Sequence, residues 1–170
     1  MKTIIGIDPG LKNTGFGIIR ISNNSAEHID HGVISTPTEA AKGSRLECIH
    51  KTITGLVEKY KPEEAGIEEI FFAKNLKSAI PVAQAIGVIL CALSLMNVTT
   101  FSYTPLEVKR GVVGRGRAEK EQVQELVRII LGLREVPQPD HAADALAVAL
   151  CHAHSLTLRN FMKTGEGRGV

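Results

Sequence analysis

What this chain lacks narrows its class before any motif does. Its 170 residues include only three cysteines, Cys48, Cys91 and Cys151. They are odd in number, widely spaced and set among apolar residues, which implies neither a disulfide framework nor a zinc motif; core thiols of a cytosolic protein are expected. A large excess of either charge is also missing, because 20 basic against 18 acidic residues leave a net charge of only +2. Overall charge therefore says little about partners, and local clusters have to speak instead. No leader is apparent: Met1-Lys2 runs directly into a strand-like segment containing Asp8, so a cytoplasmic location without a signal peptide is expected. The longest apolar stretch, AIPVAQAIGVILCALSLM, contains Pro81, Gln84 and Ser94 and lacks charged flanking belts. It reads as a buried helix, not a membrane span.

What is present is ordinary for a globular domain, with 44% hydrophobic and 22% charged residues. No internal repeat is visible. One domain is expected over residues 1–158, followed by a flexible, mildly basic tail over 159–170.

Residues 3–8 form a continuous apolar run, as expected of a strand buried on both faces. Residues 14–21 and 27–35 read as two more strands in an antiparallel meander, with Asn-Asn-Ser between them. Ser44 is a candidate cap for a helix over 45–60, where Leu46, Ile49, Ile53, Leu56 and Val57 recur at helical spacing. A strand over 64–70 and a loop FFAKNLK lead to a helix over 78–96, with Pro81 in its first turn. A fifth strand over 98–102, a short helix over 104–110, the glycine-rich GVVGRGRAEK, a helix over 119–132 and a last helix over 140–158 complete the chain. The pattern predicts an α/β fold with a mixed five-stranded sheet: three antiparallel strands, then parallel crossovers, flanked by helices.

Three acidic positions stand out. Asp8 ends the first strand, kept extended by Pro9; alone, Asp-Pro-Gly is only a turn motif. Glu68 or Glu69 sits in a strand expected to be central, and alternation puts them on opposite faces, so only one can join Asp8. In PQPDHAADALAVALCHAH, Asp140 is a candidate helix cap, and His141 and Asp144 are three apart on one helical face. Asp140 and Asp144, four apart, can share a face too. Carboxylates converging from two strand ends and a helix start would repel one another unless hard cations neutralise them, and oxygen ligands suit Mg²⁺ or Mn²⁺. Two such ions about 4 Å apart would hold both the attacking water and the leaving oxygen in phosphodiester hydrolysis.

The blocks GIDPGLKNTGFGII, IEEIFFAKN, VVGRGRAEK and DHAADALAVAL resemble, in order and across nearly the whole chain, the signature blocks of the RuvC family of bacterial Holliday junction resolvases. The resemblance implies a ribonuclease H-like fold, a homodimer, and paired symmetric nicking of a four-way DNA junction in recombination and repair. The ends left would be 5′-phosphate and 3′-hydroxyl. It further implies two Mg²⁺ per active site, with Mn²⁺ able to substitute, and the RuvA–RuvB branch-migration complex as a partner. By position the metal-binding, catalytic acids are Asp8, Glu68 and Asp144, with His141 at the remaining place of the tetrad, where many members carry aspartate. Its role, metal ligand or positioner of water, stays open. Asp140 is then a cap.

Lys109, Arg110, Arg115, Arg117 and Lys120 form the one dense basic cluster, interleaved with glycines that allow close backbone approach. A solvated loop is the bland alternative; contact with a DNA backbone is the expected role. In the family, Lys109 and Lys120 match basic positions near the active centre, and Phe71 falls where an aromatic ring stacks at the crossover. Either Phe71 or Phe72 suits that place. His152 and His154, two apart, cannot face one ligand from a helix and are expected to be structural. Two competing functions are a nuclease of RNA or plain duplex on the same fold, and an actin-like nucleotide-binding domain. The second would need another phosphate hairpin and a longer chain.

Overall fold

The first strand sets up both faces of the molecule. In β1 (Lys2–Asp8), Ile4 turns to one side, Ile5 and Ile7 turn to the other, and all three are fully buried. Covered on both faces, the strand needs no polar alternation. β2 (Asn13–Ser22) and β3 (Ser25–Ser35) extend it as an antiparallel meander. β4 (Glu64–Glu68) and β5 (Thr99–Tyr103) run parallel to β1 on its other side, in the order β3-β2-β1-β4-β5. The computed structural model describes residues 1–22, 25–69 and 76–165.

One face carries α1 (Lys42–Tyr60) and α2 (Leu76–Leu95). Ile49, Ile53 and Val57 recur every four residues of α1 and pack with Ile5, Ile7, Ile18, Ile89 and Leu93. The opposite face carries α3 (Pro105–Val113), α4 (Lys120–Ile130) and α5 (Asp140–Gly165). There Leu146 and Leu150 join Ile4, Ile19, Val108, Val123 and Val127 in a second core. Among the described residues no helix is long and apolar enough to cross a membrane.

The feature that positions the site is a strip of glycines. Register aligns Gly17 with Gly6, Gly6 with Gly66, and Gly15 with Asp8. A Cβ added to Gly6 would lie 2.1 Å from the Ala145 carbonyl, and one on Gly15 would lie 1.9 Å from that of His141. The sheet is bare along this strip, so α5 sinks onto the backbone. Its own contact side is correspondingly small: Ala142, Ala145 and Ala149 are fully buried.

Farther along α5 the fully buried His152 is held between Glu64 Oε2 at 2.8 Å and the Tyr103 hydroxyl at 2.7 Å. Lys2 Nζ reaches the other oxygen of Glu64 at 2.5 Å. Four side chains from β1, β4, β5 and α5 thus lock the helix on the sheet, the structural role expected of this histidine.

Several boundaries differ from the sequence reading. Helix α1 starts at Lys42 behind Ala41, so Ser44 lies inside it. Pro81 falls in the second turn of α2, because that helix starts at Leu76. Gly111 belongs to α3, where it lets the helix lie against Cys151; a Cβ there would be 2.8 Å from Sγ. Helix α5 continues past 158 to Gly165, aided by Arg159, whose guanidinium covers the Phe101 ring at 4.2 Å and whose Nε donates to the Ser155 carbonyl. Residues 166–170, at the end of the expected tail, and the Asn23-Asn24 turn lie outside the described residues.

Candidate active site

Strand alternation and register choose which acids meet. Along β1, Ile4, Gly6 and Asp8 share the α5 side; along β4, Glu64, Gly66 and Glu68 do. Since Ile4 aligns with Glu64 and Gly6 with Gly66, Asp8 and Glu68 close the same row at the carboxyl ends of two parallel neighbours. Glu69 has the opposite parity, and its backbone N–H donates to the Tyr103 carbonyl at 2.8 Å. Helix α5 begins over this end of the sheet and brings His141 and Asp144 to it.

His141 Nδ1 lies 2.6 Å from Asp8 Oδ2. One ligand atom each from Asp8, His141 and Asp144 lies within 4.8 Å of the others, the one such grouping of three among the described residues. Glu68 and Asp144 line an adjoining cavity of about 200 Å³ together with Lys109, Lys120, Val108 and Val123. Burial, the charges of Asp8 and Asp144, and a hydrogen bond with Asp8 push the Glu68 carboxyl up to about 7. Asp8 is raised as well, mainly by burial, against the lowering pull of His141. Burial leads in both, and the mutual charge of the acids adds to it.

Lys120, the first residue of α4, supplies part of the balance. Its Nζ lies 3.1 Å from Asp144 Oδ2 and 3.1 Å from Asp140 Oδ2. The expected cap role of Asp140 is thereby corrected. The Pro139 carbonyl takes the first helical N–H groups, from Ala142 and Ala143, while the Asp140 carboxylate faces Lys120 and Gln124. No spacing rule could reveal this pairing, because 20 residues and a helix break separate the partners.

The basic cluster is divided. Lys109 and Lys120 stand at the acids, whereas Arg115 and Arg117 line a separate depression of about 720 Å³ beside Glu121, Gln122 and Ile129. Phe71, with Phe72, Lys74 and Asn75, lies outside the described residues.

Comparison with known proteins decides the family. The model of the family described as Crossover junction endodeoxyribonuclease RuvC matches residues 4–152. The chain belongs to the RuvC family. A Clostridioides difficile protein named Crossover junction endodeoxyribonuclease RuvC is 48% identical over 98% of this chain and 99% of its own. One of the same name from Treponema denticola is 54% identical over 86% of this chain and 83% of its own. Thermus thermophilus RuvC, solved in complex with a Holliday junction substrate, is 34% identical, covers 94% of this chain and 97% of its own, and superposes with a TM-score of 0.90. The ribonuclease H-like fold and the class of endodeoxyribonuclease expected for this RuvC-family chain therefore stand.

Proposed function

We propose that this protein is a homodimeric, metal-dependent resolvase that cuts four-way DNA junctions by paired symmetric nicks, leaving 5′-phosphate and 3′-hydroxyl ends. The observation that carries it is the convergence of Asp8, His141 and Asp144 within 4.8 Å beside Glu68, in a chain of this family. The donors fit a hard divalent cation. Two carboxylates and an imidazole already face one point, and a third carboxyl is pushed up to about 7 by its burial and by the charges of Asp8 and Asp144, which a cation would offset. Asp8, Glu68, His141 and Asp144 would hold Mg²⁺, two ions in all, with Mn²⁺ as substitute; bound there, the ions would activate water and polarise the phosphate.

The remaining work falls to the chain itself. Asp8 keeps the His141 ring oriented through Nδ1. Lys109 and Lys120 would take the scissile phosphate, a role supported by their lining the cavity beside Glu68 and Asp144, and Arg115 and Arg117 would hold backbone farther out. Phe71 is assigned to stacking at the crossover on the family resemblance. Helix α2 leaves Ile80, Leu90 and Leu95 exposed, which supports burial against a second copy; a two-fold dimer matches two sites to two symmetric strands. A cytoplasmic enzyme receiving junctions from the RuvA–RuvB complex completes the reading. It is tested by incubating the protein with a synthetic four-way junction in Mg²⁺ or EDTA and mapping the nicks on all four strands.

A further inference from the structure

Asp140 belongs neither to the acid grouping nor to the helix cap, and its carboxylate is nonetheless committed. Oδ2 meets Lys120 Nζ at 3.1 Å, and Oδ1 accepts from Gln124 Nε2 at 3.3 Å, one turn farther along α4. The start of α4 is itself fixed, because Glu119 and Gln122 cap one another reciprocally. The ammonium of Lys120 is thus divided between two carboxylates four residues apart on α5, at equal distances. One of them, Asp144, is a member of the grouping that would hold a cation; the other is not. Both side chains of the Lys120–Asp140 pair are about half exposed, so the pair adds little to folding stability, and position is what it can supply.

We propose that Asp140 is a positioning residue for Lys120. It retains the ammonium at the rim of the acid cluster, so that Asp144 can turn to a cation without losing the lysine from the phosphate-facing cavity. Without Asp140 the ammonium falls wholly onto Asp144 and competes there with the metal. This rests on the proposed metal site, and its catalytic consequence rests on the proposed junction cleavage as well.

The experiment uses the full chain as wild type, Asp140→Asn, Lys120→Met and the double variant. Mn²⁺ affinity is measured by calorimetry without DNA, and single-turnover cleavage of a four-way junction is measured at saturating protein. Asp140→Asn should weaken Mn²⁺ binding by roughly threefold to tenfold when Lys120 is present, and by less than about twofold in the Lys120→Met background. Cleavage should slow by a similar factor, with junction affinity in EDTA unchanged and Asp140→Glu restoring most of the rate. An Asp140→Asn effect of equal size in both backgrounds overturns the proposal, because a simple through-space charge would act that way. Should the wild type fail to cut the junction, the proposed function falls, while the calorimetric comparison still decides the role of Asp140.

Discussion

Nδ1 of His141 lies 2.6 Å from Oδ2 of Asp8, although 133 residues separate them in the chain. The contact exists because β1 ends at Asp8, α5 begins at Asp140, and bare glycine backbone lets the helix settle directly over the strand end. The geometry of the acid site follows from that meeting of strand end and helix start.

Asp8→Asn should reduce junction cleavage by roughly a thousandfold or more, since the lost contribution to cation binding amounts to several kcal/mol in the transition state. Junction binding in EDTA should survive. His141→Asp, which supplies another oxygen ligand, should keep metal-dependent cleavage. Gel-shift and cleavage assays on the same preparations separate the two effects.

Glu68 makes the metal-free protein sensitive to pH. Its carboxyl is raised from 4.5 to about 7, so the folded state binds a proton more tightly than the unfolded chain does. The associated stability is fully present below pH 4.5 and is lost as pH rises through about 7, an effect on the order of 3 kcal/mol. In EDTA, thermal unfolding should therefore shift to lower temperature between pH 5 and pH 8, and Glu68→Gln should flatten that trend. Saturating Mg²⁺ should flatten it too, and cation binding near neutral pH should release protons, measurable as a buffer-dependent heat.

Much of this was legible in the residues. The apolar run of β1, the meander, and the four-residue repeat of α1 announce themselves because burial imposes periodicity. Asp8 and Asp144 were visible as a strand end and a helix start. Glu68 could be separated from Glu69 only by family resemblance, since parity relative to Asp8 depends on a register that one sequence does not display. Asp140 looked like a cap because its true partner, Lys120, approaches from another helix. The same holds for His152, whose partners Glu64 and Tyr103 come from two strands distant in sequence. Caps and periodicities are local; ion pairs across elements are not.

Gly15→Ala tests whether close approach is what builds the site. Its Cβ would sit 1.9 Å from the His141 carbonyl, against backbone that cannot rotate away. A loss of about 3 kcal/mol or more in urea unfolding is expected. Any folded fraction should show weakened Mn²⁺ binding, because α5 must lift away from Asp8. Gly43→Ala, in the first turn of α1 with nothing within 4 Å of the added carbon, is the control: it should leave Mn²⁺ binding unchanged and cost no stability, with a gain of up to about 1 kcal/mol expected from helix propensity.

His152→Ala should cost roughly 3 kcal/mol, combining a cavity with the loss of the hydrogen bonds to the Tyr103 hydroxyl and to one oxygen of Glu64. His152→Gln, able to donate to one neighbour and accept from the other, should recover part of it. Denaturant titration of the three proteins checks the order.

If Lys109 and Lys120 meet phosphates, junction affinity in EDTA should fall steeply with salt, and neutralising both should lower the slope of log K against log salt by about 2. An unchanged slope would remove them from the DNA interface.

The most direct test sets a synthetic four-way junction, a matched duplex and an RNA–DNA hybrid side by side, each with Mg²⁺ or EDTA, and maps cleavage on every strand. Paired nicks at symmetric positions, on the junction alone, in Mg²⁺ alone, and absent with Asp8→Asn, are the expected result. Equal cutting of duplex or hybrid, or undiminished junction cleavage by Asp8→Asn, would contradict the account.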